Sequence, residues 1–351
     1  MRKIFLKSSH KHLILFTLMF FAVFQLKAEL KIDTLITEVQ KNTIRNRKAQ
    51  IFDTDSNYSV VYFRPKPFQF AKNVPSDLYR LGKTAFVKKN LSTFGAILAG
   101  TALLITIDQP ITNAAKQFGR YINLDATEKS KTLLKANLGG LKVDILDIPQ
   151  NLNSAFYFIG EGSPSMMIAC GLYSYGLIAN DYRALQTTSQ LTEMFLTLGI
   201  ATQFLKRISG RQSPFQAMDA NGVPGGDWHP LPNPAKYQKK VSNYDAFPSG
   251  HLATVMATIT ILSGNYPDNK YIKPVGYSLM GLLGYSMLNN GVHWISDYPL
   301  AIAIGYSCGK IALSRGHQTI QKRKTNYRTS SSFTPKYLEH GVWGLSYRAT
   351  F

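Results

Sequence analysis

Phe247-Pro248-Ser249-Gly250-His251 decides the fold, because it runs straight into the apolar stretch Leu252 to Leu262, which holds no proline or glycine. A Pro-Ser-Gly turn feeding a helix leaves the first N–H groups unpaired and exposes the positive end of the helix dipole, which together make an anion site. His251, at the mouth of that site, can hand a proton to a leaving oxygen. A second histidine lies in Gly291-Val292-His293-Trp294-Ile295-Ser296-Asp297. His293 and Asp297 are four residues apart and would share one face of a helix, where a carboxylate can orient an imidazole. One histidine beside an anion cradle and a second with an acidic partner point to phosphoryl transfer through histidine.

Outward from this centre the chain repeats one kind of segment. Apolar runs occupy Leu91 to Ile107, Ser165 to Ala179, Leu191 to Leu205, Leu252 to Leu262, Pro274 to Leu288 and Pro299 to Leu313. No long alternating series lies between them, so the chain reads as all-α: a helical bundle of about six core helices with the active site at helix ends. The runs are short and their flanks polar, which favours a globular or membrane-seated bundle over a six-span protein. Leu91 to Ile107 reads either as a short span or as a buried helix. A helix start is expected at Pro75-Ser76-Asp77, a basic amphipathic piece over Ile111 to Tyr121, and loops with short helices over 125–150. Gln216 to Asp245 is a Pro-, Gly- and Asn-rich insert, and its Trp228-His229 reads as part of a substrate lid or as an ordinary exposed loop.

The 351 residues are 45% hydrophobic and 17% charged, with a formal net charge of +20. Residues 1–28 hold Arg2, Lys3, Lys7, Lys11 and Lys27 and no acid, so their removal lowers the charge by five, to +15. Such a balance favours anionic partners: phosphates, anionic lipid head groups or nucleic acid. The basic start, the apolar Leu13 to Leu26 and the small residue Ala28 fit a secretory signal peptide, with an uncleaved anchor as the alternative. Either way the working domain is expected to be exported to the periplasm or an envelope membrane. The expected division is a signal peptide (1–28), an irregular N-terminal arm (29–85), a helical domain (86–315) and a basic, polar C-terminal tail (316–351). A strand is expected at Tyr58 to Phe63, and the alternation of Trp343, Leu345, Tyr347, Ala349 and Phe351 suggests a terminal strand paired with the N-terminal arm. Cys170 and Cys308 read as buried free thiols.

The motif residues resemble the type 2 phosphatidic acid phosphatase superfamily, which also holds bacterial acid phosphatases and vanadium haloperoxidases. Its three signatures are Lys, six residues, Arg-Pro; Pro-Ser-Gly-His; and Ser-Arg, five residues, His, three residues, Asp. Here they read Lys206 with Pro214; Pro248-Ser249-Gly250-His251; and Ser286, His293 and Asp297. Two arginines that grip phosphate in the family are replaced, by Ser213 and Met287. Each charged hydrogen bond lost is worth about 1.5–3 kcal/mol, so losing both without substitutes costs roughly a hundred- to ten-thousandfold in rate. Arg211, two positions before Ser213, is the nearest candidate to compensate.

The resemblance implies that His293 attacks phosphorus with Asp297 holding its ring, and that His251 protonates the leaving oxygen. Lys206, Arg211, Ser249 and Gly250 would hold the phosphate, with no metal and no cofactor. It implies a metal-independent envelope phosphatase acting on lipid phosphomonoesters or pyrophosphates, with a membrane surface as partner and no nucleic acid. A catalytically silent anion- or lipid-binding member is the alternative. A vanadium-dependent haloperoxidase is disfavoured, because the missing arginines would weaken vanadate binding as much as phosphate binding.

Overall fold

The computed structural model describes residues 49–53, 58–138, 141–219, 224–321, 330–338 and 342–350. The leader expected over residues 1–28 lies outside the described residues. Helices dominate the described chain. They are α1 (Gln69–Phe86), α2 (Leu91–Ile105), α3 (Asp108–Tyr121), α4 (Leu152–Phe158), α5 (Ser163–Ile178), α6 (Tyr182–Ser209), α7 (Pro214–Asp219), α8 (Pro234–Lys239), α9 (Gly250–Asn265), α10 (Ile272–Asn290) and α11 (Tyr298–Leu313). The six expected apolar runs fall in α2, α5, α6, α9, α10 and α11, which gives the all-α bundle read from the sequence.

Local chemistry sets the boundaries of the central helices. Asp181 caps α6 by accepting from the Ala184 N–H at 2.8 Å, and Gly210 closes it in the left-handed conformation at φ 56°. Gly291 ends α10 in the same way at φ 77°. Helices α9 and α11 pack closely against each other. A Cβ on Gly305 would lie 2.2 Å from the Ala253 carbonyl oxygen, and one on Gly309 would lie 2.9 Å from that of Ala257. Glycine at these two positions lets the backbones meet, and Leu252, Ile261, Met280, Leu283 and Leu288 fill the core around them.

Several expectations are corrected. Residues 125–150 are not loop and short helices: β3 (Ser130–Leu138) and β4 (Leu141–Pro149) form an antiparallel hairpin. The first helix begins at Gln69 rather than at Pro75, which it contains. The strand expected at Tyr58 to Phe63 is present, and the N-terminal arm and the tail, otherwise expected to be irregular, carry further strands. In one three-stranded sheet β1 (Ala49–Asp53) pairs with β2 (Tyr58–Phe63), which pairs with β5 (His317–Gln321). The last strand, β7 (Val342–Thr350), pairs with β6 (Ser330–Leu338) and not with the N-terminal arm; β5 makes that link instead. Cys308 is buried as expected, whereas Cys170 is exposed.

Among the described residues no single helix is long and apolar enough to cross a membrane. Lys88–Ile105 and Asp108–Tyr121 together have the length and composition for a span, but they meet at a 67° bend.

Candidate active site

Three chain segments converge at one end of the bundle: the C-terminus of α6, the N-terminus of α9, and the turn between α10 and α11. The last of these contains a short 3₁₀ helix, Ile295–Asp297. His293 therefore lies in a turn and shares no regular helix face with Asp297. Its ring is nonetheless fixed. Nδ1 lies 2.7 Å from the Ala246 carbonyl oxygen and 3.4 Å from Asp297 Oδ2. A carbonyl oxygen only accepts, so Nδ1 carries the proton and Nε2 keeps its lone pair, the form a nucleophile requires. The carbonyl sets the tautomer, and Asp297 supplies negative charge beside it.

The rings of His251 and His293 lie 5.8 Å apart, edge to face. Tyr157 packs on His251 at 4.6 Å. Behind His251 a Cβ on Gly160 would come within 2.6 Å of the histidine Cβ, so the chain can pass there only as glycine. His251 retains some solvent contact but lies deep in the bundle, and its Nδ1 meets no protein partner. Burial first, then the neighbouring His293 and Lys206, hold this imidazole well below the usual histidine range.

Lys206 lies beside His251 at the same end of the bundle. Its Nζ is held by Asp245 Oδ2 at 3.3 Å and lies 3.9 Å from where a Gly250 Cβ would stand, so the ammonium faces the first turn of α9. The Ser249 hydroxyl caps that turn, accepting from the Leu252 N–H at 3.4 Å. A cavity of about 180 Å³ opens here, lined by Lys206, Gly250, His251, Thr254, Phe195 and Glu161 among others. Burial, then Glu128 and Asp147, push the Glu161 carboxyl up to about 7. A larger groove, about 1160 Å³, lies near the other end of α6 beside residues 63–70, away from both histidines.

Arg211 is placed elsewhere than the phosphate-binding expectation would have it. It is fully buried, with Nη1 2.6 Å from Asp297 Oδ1 and Nη2 2.6 Å from Asp108 Oδ2, and its guanidinium is flanked by the rings of Trp228 at 4.7 Å and Trp294 at 5.4 Å. The structure thus brings His251, His293, Lys206, Ser249 and Gly250 together, with Lys206, Gly250 and His251 lining the cavity and His293 and Ser249 buried behind them, and sets Arg211 behind Asp297. Trp228 covers this arginine, so half of the suspected lid pair has a packing role.

Sequence reasoning missed Asp108, Asp245 and Ala246. Asp108-Gln109-Pro110 looked only like a helix stop, and Asp245 and Ala246 precede the Pro-Ser-Gly-His signature with no pattern of their own. Among the described residues no group of three or more His, Cys, Asp or Glu side chains has the arrangement of a metal site.

In comparison with known families, residues 188–320 match the PAP2 superfamily, and all three signatures fall inside that span. Among solved structures, the crystal structure of Aquifex aeolicus LpxE is similar at 20% identity with a TM-score of 0.31, covering 46% of this chain and 83% of that one. No curated protein matches.

Proposed function

Residues 188–320 belong to the PAP2 superfamily, and on that premise we propose that the chain is a metal-independent phosphatase of lipid phosphates that works through a phosphohistidine. The observation that carries this reading is the 2.7 Å contact from His293 Nδ1 to the Ala246 carbonyl, which leaves Nε2 as a free nucleophile beside His251.

In the first step Nε2 attacks phosphorus, the bond from phosphorus to the leaving oxygen breaks, and protonated His251 supplies that oxygen with a proton. The Lys206 ammonium and the unpaired amides of the first turn of α9 neutralise the equatorial oxygens. Asp297 offsets the positive charge that the His293 ring gains. In the second step neutral His251 takes a proton from water, which attacks phosphorus and expels His293.

A lipid substrate fits the apolar surface beside the site. Phe195, Leu196, Ile200, Phe204 and Ile208 on α6 and Met167 on α5 are exposed, and Phe195 also lines the cavity. Side chains of this kind around a phosphate site suit acyl chains or a membrane surface. Together with the basic N-terminus, this apolar surface supports a working site in the cell envelope.

The test is phosphate release by the purified protein, in detergent with chelator, from phosphatidic acid and from isoprenyl pyrophosphate. Release that vanishes in His293→Ala, with a ³²P label on His293 in the parent, is expected. No release above the variant on either substrate would favour a silent binding protein on this scaffold.

A further inference from the structure

Behind Asp297 lies a buried charge network whose other members, Arg211, Asp108 and Ser296, the phosphoryl-transfer scheme leaves unused. Asp108 opens α3, eighty residues before the PAP2 match begins, and is fully buried. Its Oδ2 accepts from Arg211 Nη2 and from the Ser296 hydroxyl, each at 2.6 Å, and its Oδ1 accepts from the Ser296 N–H at 3.0 Å. Arg211 Nη1 in turn holds Asp297 Oδ1 at 2.6 Å, and Asp297 Oδ2 accepts from the Trp294 N–H at 2.7 Å while facing the His293 ring. Arg211 Nη2 also donates to the Gly225 carbonyl at 3.0 Å.

We propose that Asp108 is a positioning residue for the histidine chemistry: it neutralises Arg211, so that the charge of Asp297 stays available to His293. The argument is one of charge balance. Two carboxylates and one guanidinium leave one negative charge, and the geometry turns it toward the imidazole. Without Asp108 the pair of Arg211 and Asp297 would be neutral, and His293 would face no net charge as it turns cationic. In a buried setting that loss is felt in full.

The network also responds to pH. Burial pushes the Asp108 carboxyl up to about 6, against the opposing pull of Arg211, with Asp297 adding to the rise and the Ser296 hydroxyl opposing it. The other titratable group facing it is the buried Tyr298 phenol, itself pushed up by burial and then by Asp297 and Asp108. Protonation of Asp108 near pH 6 therefore releases Arg211 to Asp297.

The kinetic arm of the test rests on the proposed phosphatase reading; the spectroscopic arm does not. In full-length protein labelled with ¹⁵N-histidine, the Nδ1–H resonance of His293 is expected to move upfield in Asp108→Asn. In the same variant kcat is expected to fall about tenfold or more with KM little changed. An unmoved resonance in a folded Asp108→Asn overturns the inference. Should that variant fail to fold, Ser296→Ala keeps every charge and removes one donor to Asp108. The pH at which the resonance moves upfield should then rise, and an unchanged pH overturns the inference. Coupling seen in a protein without turnover would sink the phosphatase reading alone, whereas turnover without coupling would sink only the role of Asp108.

Discussion

The Ser249 hydroxyl donates to the sulfur of Met287 at 3.6 Å, and both side chains are fully buried. This contact occupies the position where the family signature has an arginine. It turns the hydroxyl inward, toward a thioether and the cap of α9. What faces the cavity from this corner is the backbone of the first turn of α9, with Lys206 beside it. Ser213, at the other altered position, is also buried, and its hydroxyl has no partner. Among the described residues lining the cavity, the fixed positive charge is thus reduced to one lysine and a helix terminus.

Met287→Arg should behave as a buried cation awaiting an anion. An unpaired buried charge costs several kcal/mol, so the melting temperature should fall in phosphate-free buffer. Millimolar orthophosphate should then raise it by more than it raises that of the parent protein. Equal responses of the two proteins in thermal unfolding would show that an arginine at 287 does not reach the anion site.

The signatures made the centre of the site legible because their spacing follows the ends of α6, α9 and α10, where backbone amides and side chains must converge. His251, Lys206, Ser249 and Gly250 could be read for that reason. Arg211 was misplaced because two residues of separation in sequence say nothing about a carboxylate 103 positions away, and Asp108 is that carboxylate. The β3–β4 hairpin was missed because Lys131, Lys135, Lys142 and Asp144 break up its apolar residues. A single hairpin needs no buried face to set its alternation. The partner of the terminal strand was misjudged because edge strands carry no code for which neighbour they take.

The pH dependence should follow His251. Its imidazole is held low by burial, then by His293 and Lys206, so in the free protein it is neutral at pH 7. The transfer step needs it protonated. The value of kcat/KM should therefore rise as pH falls from 8 toward 6, until protonation of Asp108 near 6 opposes the gain. A profile that stays flat between pH 8 and 6 would rule out His251 as the acid.

A second buried acid pair sets the stability at alkaline pH. Glu193 on α6 shares a hydrogen bond with Asp77 on α1, accepts from Asn73 Nδ2 at 2.6 Å and lies 3.4 Å from Arg315, which also pairs with Asp77. Burial first, then the bond to Asp77, push the Glu193 carboxyl up to about 8 from its ordinary 4.5. The folded protein therefore binds a proton that the unfolded chain has released across that window. Stability contributed by the neutral form is present below about pH 4.5 and is lost as pH rises through about 8. Glu193→Gln keeps a donor for Asp77 and one carbonyl oxygen to accept from Asn73, but cannot ionise. Urea unfolding between pH 6 and 9 should show the parent losing stability and the variant holding nearly level. Parallel losses in the two proteins would mean that the proton sits elsewhere.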